Sequence, residues 1–174
     1  MKKHKVLLRE ISIEDVPVIN SWRNNKALIE QLGSEFRYVG LDTDKKWYET
    51  YLANRDRNVR LAITIEEFGT ILGVIYLLDI NWLSKNCEFA IQIGEEQALS
   101  KGLGYEASKQ AIDYAFNDLN LHRIYLTVLE ENTRAIGLYE KLGFLVEGTL
   151  RQSIYKNKSY KNQILMALLQ SSWE

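Results

Sequence analysis

"IQIGEEQALSKGLGYEA", Ile91 to Ala107, is the stretch on which the fold turns. Gly102, Gly104 and Ala107 fit the dinucleotide fingerprint G-x-G-x-x-G/A, and Glu130 follows at a plausible distance for a ribose-binding acid. A dinucleotide loop, however, places its first glycine almost at the end of the strand, and here "GEEQALSK" intervenes between Ile93 and Gly102. A triphosphate loop fails as well, because "LSKGLG" lacks the G-x-x-x-x-G-K-[ST] spacing. Two readings stand: a loop whose glycines and following helix N-terminus attract a phosphate, or a purely structural loop–helix junction.

The elements on either side decide against a doubly wound fold. "KVLLREI" reads as a first strand, Ile13 to Asn24 as a helix with apolar residues at Val16, Ile19 and Trp22, and about Thr43 to Asn54 as a second helix behind a capping Asp42/Thr43. Pro17 limits the first helix to starting within its first turn. Val59 to Glu66 alternates strictly, and "EFG" turns into the apolar run Thr70 to Asp79, a hairpin. "NCEFAIQI" (Asn86 to Ile93) alternates too, with Cys87, Phe89, Ile91 and Ile93 on one face and Glu88, Ala90 and Gln92 on the other. A helix from about Gly104 to Leu119, a strand Arg123 to Leu129 and a helix from about Thr133 to Leu142, stopped by Gly143, come next. "FLVEGTLRQSI" and "NQILMALL" close the chain around a "YKNKSY" turn. The order β, α, α, β, β, β, α, β, α, β, β holds one strand–helix–strand crossover between hairpins, where a dinucleotide domain needs successive parallel crossovers.

Composition narrows the function. A chain of 174 residues, 46% hydrophobic, suits a single domain over 1–174 with one well-buried core. Lys plus Arg number 22 and Asp plus Glu 23, a net charge of −1, so nothing in bulk charge calls for nucleic acid or an anionic membrane. The basic runs "NRDRNVR" and "KNKSYK" read as solvated loops. With one cysteine, Cys87, and two histidines, His4 and His122, neither a disulfide nor a Cys/His metal site is expected, and a reducing cytoplasm fits. The apolar run "ILGVIYLLDI" falls short of a membrane span, and Arg9 and Glu10 interrupt the N-terminal apolar segment too early for a signal peptide.

"LSKGLGYEASKQAIDYAF…LNLHRIYLTVLEENTRAIGLYEKLGFLVEGTLRQ" resembles the GNAT superfamily of acetyl-CoA-dependent N-acetyltransferases, in its branch of ribosomal-protein-alanine, spermidine and aminosugar acetyltransferases. The resemblance spans about Val6 to Leu169 and is sharpest from Glu88 to Arg151. It implies an α/β (α+β) GNAT fold, a mixed and mostly antiparallel sheet of about seven strands flanked by about four helices. It implies that acetyl-CoA is held at Leu99, Ser100, Lys101, Gly102, Leu103 and Gly104, whose backbone amides take the pyrophosphate. Leu99 stands where the family usually has Gln or Arg, which removes a polar side chain but no backbone donor. Backbone groups near Ile91, Gln92 and Ile93 are implied to bind the pantetheine arm, and a homodimer is common in the branch.

Acetyl transfer to an amine needs a neutral amine, a stabilised oxyanion and a proton for the leaving thiolate. Glu88 is the first candidate base, against a reading as a structural carboxylate; Glu130 and Glu35 are alternates. Tyr139 matches the tyrosine of the family's "A-x-x-L/I-Y-x-K-L-G-F" signature, where it often acts as general acid, against a reading as a packed aromatic. Asn132, Ile136 and Tyr139 are spaced i, i+4, i+7 on one helical face and are expected to meet the cofactor, while Asn132 is equally apt as an N-cap. Cys87 reads as a buried small hydrophobe rather than an acyl-carrying nucleophile, and His122 as a loop residue. Trp22, Arg23, Glu35, Arg37, Trp47 and Trp82 are the candidates to line the acceptor cleft, with a small molecule or peptide N-terminus as the amine. No metal is needed. A non-catalytic acyl-CoA-binding module of the same fold is the alternative.

Overall fold

The computed structural model describes residues 5–65, 69–95 and 102–173. One mixed sheet of seven strands organises them: β1 (Leu7–Glu10), β2 (Val59–Thr64), β3 (Gly73–Asn81), β4 (Asn86–Ile93), β5 (Arg123–Leu129), β6 (Leu145–Lys156) and β7 (Ser159–Leu169), in the spatial order β1-β2-β3-β4-β5-β7-β6. Every neighbouring pair is antiparallel except β4 and β5. Five α-helices flank the sheet: α1 (Val16–Arg23), α2 (Lys26–Glu30), α3 (Leu41–Ala53), α4 (Leu103–Asp113) and α5 (Thr133–Lys141).

The apolar run around β3 does not alternate because this central strand is buried on both faces. Ile75 and Leu77 join Ile63, Phe89, Ile112, Phe116, Leu126 and Met166 in a core under α4 and α5. Val74, one position out of phase, joins Ile19, Trp22, Tyr51 and Ala62 in a second core under α1 and α3. Strand alternation thus assigns each residue to one of two compartments.

Several boundaries differ from the sequence reading, each for a local reason. α1 is preceded by a 3₁₀ turn at Ile13–Asp15, and Pro17 sits in its first turn. The short α2 was not anticipated; Asn25 caps it, accepting a 3.2 Å hydrogen bond from Leu28 N. α3 begins two residues early, at Leu41, because Gly40 carries the capping carbonyl, so Asp42 and Asp44 fall inside the first turn. β3 begins at Gly73 and runs to Asn81, later than the expected Thr70 to Asp79. α4 passes into a wider π-helical turn at Tyr114–Asp118 rather than running uniformly to Leu119. The expected "EFG" turn has Glu66, Glu67 and Phe68 outside the described residues. The last hairpin turns on two residues, Asn157 and Lys158, both left-handed (φ 50° and 63°), so β6 and β7 extend further into "YKNKSY" than expected.

Gly94, just past β4, is pressed against the indole of Trp22, which is only 4% exposed. A Cβ there would lie 1.9 Å from Trp22 Cε2, and the buried ring has nowhere to go. Gly94→Ala is expected to lower stability by about 2–3 kcal/mol, as overpacking of a filled core does. A urea unfolding midpoint equal to wild type would show that the contact carries no such weight.

Candidate active site

The site begins where the sheet comes apart. β4 and β5 pair only through Asn86, Cys87 and Glu88 against Arg123, Ile124 and Tyr125, after which they diverge. Gly94 N–H donates to Leu72 O at 3.0 Å on the β3 side, so by strand alternation the main-chain groups of Gln92 and Ala90 also face β3, and those of Ile91 and Ile93 face the opening. The gap widens into a cleft of about 600 Å³.

Its floor is the β3–β4 face that carries Val74, Tyr76, Glu88, Ala90 and Gln92. One wall is α2 with the stretch after it, including Leu28, Gln31, Leu32, Gly33 and Ser34; the opposite wall is α5, through Asn132, Ala135, Leu138 and Tyr139. Gly102, Gly104 and Tyr105, from the start of α4, close one end. Gly102 is left-handed (φ 76°), a conformation that favours glycine, and a Cβ added there would meet nothing within 4 Å among the described residues. The first intrahelical bond of α4 is Glu106 N–H to Gly102 O, at 3.0 Å, so the preceding amides of the first turn have no helical acceptor. Amides at this helix start and main chain along Ile91 and Ile93, without ladder or helical partners among the described residues, suit the diphosphate and amide-bearing arm of coenzyme A. Leu99, Ser100 and Lys101 lie outside the described residues.

Three titratable groups that line the cleft are shifted: Glu88, Tyr139 and Tyr76, whose phenol burial also raises to about 12. Burial, followed by the neighbouring charge of Asp79, raises the Glu88 carboxyl above its ordinary value. Burial pushes the Tyr139 phenol up to about 12, and its ring packs edge-on to Phe89 and Phe144. Cys87 is fully buried, its thiol raised to about 12 mainly by burial, as expected of a core residue. The Gln92 Nε2 is buried with no hydrogen-bond partner among the described residues.

Asn132 serves as the N-cap of α5, its Oδ1 accepting from Ala135 N at 3.1 Å, while its Nδ2 donates to Gln31 O at 2.9 Å; one N–H and one lone pair of the amide remain beside the cleft that it lines. Ala135, Ile136 and Leu138 all pack against the core, and of the three Ala135 and Leu138 line the cleft while Ile136 does not. Gln92 offers the cleft its side chain, since its main chain faces β3.

None of the six expected acceptor residues lines the cleft. Trp22 is buried against Gly94 and donates to Glu95 at 3.3 Å. Arg23 is ion-paired with the fully buried Asp44, and Trp47 packs on Tyr76 beneath the Arg60 guanidinium. Glu35 and Arg37 are exposed and pair with each other at 3.5 Å. Trp82 sits on the β3–β4 turn, at the closed end of the split, donating to Asp56 O at 2.7 Å. Glu130, an alternate base, is exposed and accepts from Asn162. The wall opposite α5 comes instead from Asn25, Leu28 and residues 31–34, and the signal for it in the sequence is the capping Asn25 ahead of "KALIE".

The family model of the acetyltransferase (GNAT) domain matches residues 5–145. The spermidine N(1)-acetyltransferase of Escherichia coli (strain K12) is 34% identical over 170 residues, 98% of this chain and 89% of that enzyme. A crystal structure of spermidine N-acetyltransferase from Vibrio cholerae in complex with CoA and spermine superposes with a TM-score of 0.90 at 30% identity, covering 96% of each chain. A dodecameric structure of spermidine N-acetyltransferase from Vibrio cholerae gives a TM-score of 0.82 at 29% identity over 95% of this chain and 94% of that one. The chain belongs to the GNAT acetyltransferase family. It is an acetyl-CoA-dependent enzyme that acetylates an amine of a small molecule. No described helix is long and apolar enough to cross a membrane.

The raised carboxyl of Glu88 has a consequence for stability. Because the folded state disfavours the ionised form, the stability linked to this group is fully present below its unfolded pKa of about 4 and is lost as pH rises through the folded value. Glu88→Gln, which cannot ionise, is therefore expected to melt at the same or a higher temperature than wild type at pH 7, the difference vanishing toward about pH 4. A variant that melts lower at pH 7 would mean that ionised Glu88 stabilises the fold.

Proposed function

We propose that the enzyme transfers acetyl directly to a primary amine in a ternary complex, with Glu88 as the base and Tyr139 as the proton donor. The observation that carries this is their placement: Glu88 on the floor and Tyr139 on the wall of one cleft, at the point where β4 and β5 part. A free alkyl amine, with a pKa of about 10, is mostly protonated at neutral pH, so a carboxylate of raised basicity, acting directly or through water, is suited to take its proton. Bound acetyl-CoA supplies the activated acyl group. The main-chain N–H groups of Ile91 and Ile93 are the donors available to the thioester oxygen, and the first turn of α4 holds the diphosphate.

Tyr139 is protonated throughout the working range, the form a donor needs. With the phenol near 12 and a thiol near about 8.5, full proton transfer is uphill, so its hydrogen bond to the departing sulfur is the main contribution.

The acceptor proposed first is a linear polyamine. Glu88 and Asp79 place two carboxylates near the reacting position, and the relatives similar over almost the whole chain are spermidine acetyltransferases. An aminosugar nucleotide is the second reading, favoured by the cationic and aromatic stack of Arg23, Trp47, Arg60 and Tyr76 beside the floor, in which the Arg60 Nε is buried and unpartnered among the described residues. Thiol release across polyamines, aminosugar nucleotides, amino acids and N-terminal peptides decides among them. Tyr139→Phe should lower kcat at least about tenfold with coenzyme A binding intact, and unchanged turnover would remove its role. Silence across the panel, with acetyl-CoA still bound, would favour a binding module.

Self-association belongs to the same proposal. The outer strand β6 exposes Leu145, Val146 and Leu150, and a Vibrio relative is dodecameric. Light scattering at micromolar concentration should return a mass of at least two chains; a monomer would remove this part of the reading.

A further inference from the structure

The acceptor wall is built from a segment that cannot hold itself. α2 has only five residues, too few to be stable alone, and no regular element follows it before α3. Its carbonyls are nevertheless taken up. The Lys156 ammonium, from the end of β6, donates to Ile29 O at 2.6 Å, to Ser34 O at 2.8 Å and to Leu32 O. Asn132 Nδ2, from α5, takes Gln31 O between them at 2.9 Å. Two side chains from the C-terminal half thus engage four carbonyls within six residues, and three of those residues, Gln31, Leu32 and Ser34, line the cleft.

Lys156 is only 7% exposed. Its three donors meet three carbonyls; among the described residues no carboxylate forms an ion pair with it, and Glu30 acts on it only from a longer distance. Burying an ammonium on carbonyl dipoles, without a contacting carboxylate among the described residues, is a costly way to pack a hairpin onto a loop; an apolar residue would do so more cheaply. What the ammonium adds is a fixed position for three carbonyls at once, and with it a fixed separation between the wall and the floor that bears Glu88.

We propose that Lys156 is a positioning residue for the acceptor. Acting through 29–34, it sets the fit of the amine and leaves the cofactor half alone; this rests on the acceptor site assigned above. Asn132 ties the same stretch to α5, so the wall is referenced to both the C-terminal hairpin and the helix that carries Tyr139.

The test is Lys156→Met, with Lys156→Arg as the conservative variant, read by hydrogen exchange without acceptor and by steady-state kinetics with the best amine of the panel. In Lys156→Met, exchange across 29–35 should accelerate at least about tenfold, and the acceptor KM should rise at least about tenfold with the acetyl-CoA KM within about twofold of wild type. Lys156→Arg should fall between the two. Wild-type exchange in Lys156→Met overturns the proposal, as does an acceptor KM within about twofold of wild type or an acetyl-CoA KM that rises in parallel. Should Lys156→Met not fold, Lys156→Arg decides by the same split between the two KM values. If wild type turns over no amine, it is the acceptor reading that fails, and exchange at 29–35 still decides whether Lys156 holds the wall.

Discussion

The parallel pairing of β4 and β5 stops after three residues, and strands that part in the middle of a sheet leave polar main chain without ladder partners. Such groups must face water, a ligand or other protein. Here they face a cleft whose other surfaces are already committed: β3 holds the far side of β4, α5 covers one wall, and the N-terminus of α4 closes an end. The split thus creates the cavity and the donors along it in one step, and the two core compartments on either face of the sheet keep it from closing.

Much of this was legible before any coordinates. The out-of-phase faces of Asn86 to Ile93 put Glu88 and Gln92 on the cleft side and Phe89 in the core, as found. Gly102 and Gly104 were placed at a helix start, and Tyr139 on a helix facing the site. The split was not legible, because pairing depends on which strands are neighbours in space and how far they stay in register. The acceptor wall was missed for a related reason. Aromatic and charged residues such as Trp22, Arg23 and Trp47 attract attention in a sequence, yet they serve packing and an ion pair beneath α1 and α3. The residues that line the cleft are ordinary in character, Leu28, Gly33 and Ser34 among them, and only tertiary contacts bring them there.

Asn132 joins two walls of the cleft that it lines: its amide both caps α5 and tethers Gln31. Ile136 shares the spacing but is not among the lining residues, which on this helix include Ala135 and Leu138.

β4 divides its labour by parity. Odd-numbered residues turn main-chain atoms to the opening, while even-numbered ones turn side chains to the floor beneath the acceptor wall. Mutation changes side chains and leaves amides in place. A lineage can therefore exchange Ala90 or Gln92, and with them the surface of the floor, while the edge presented by Ile91 and Ile93 is inherited unchanged. Divergence of the floor beside a constant main-chain edge is the evolutionary freedom that this strand geometry permits.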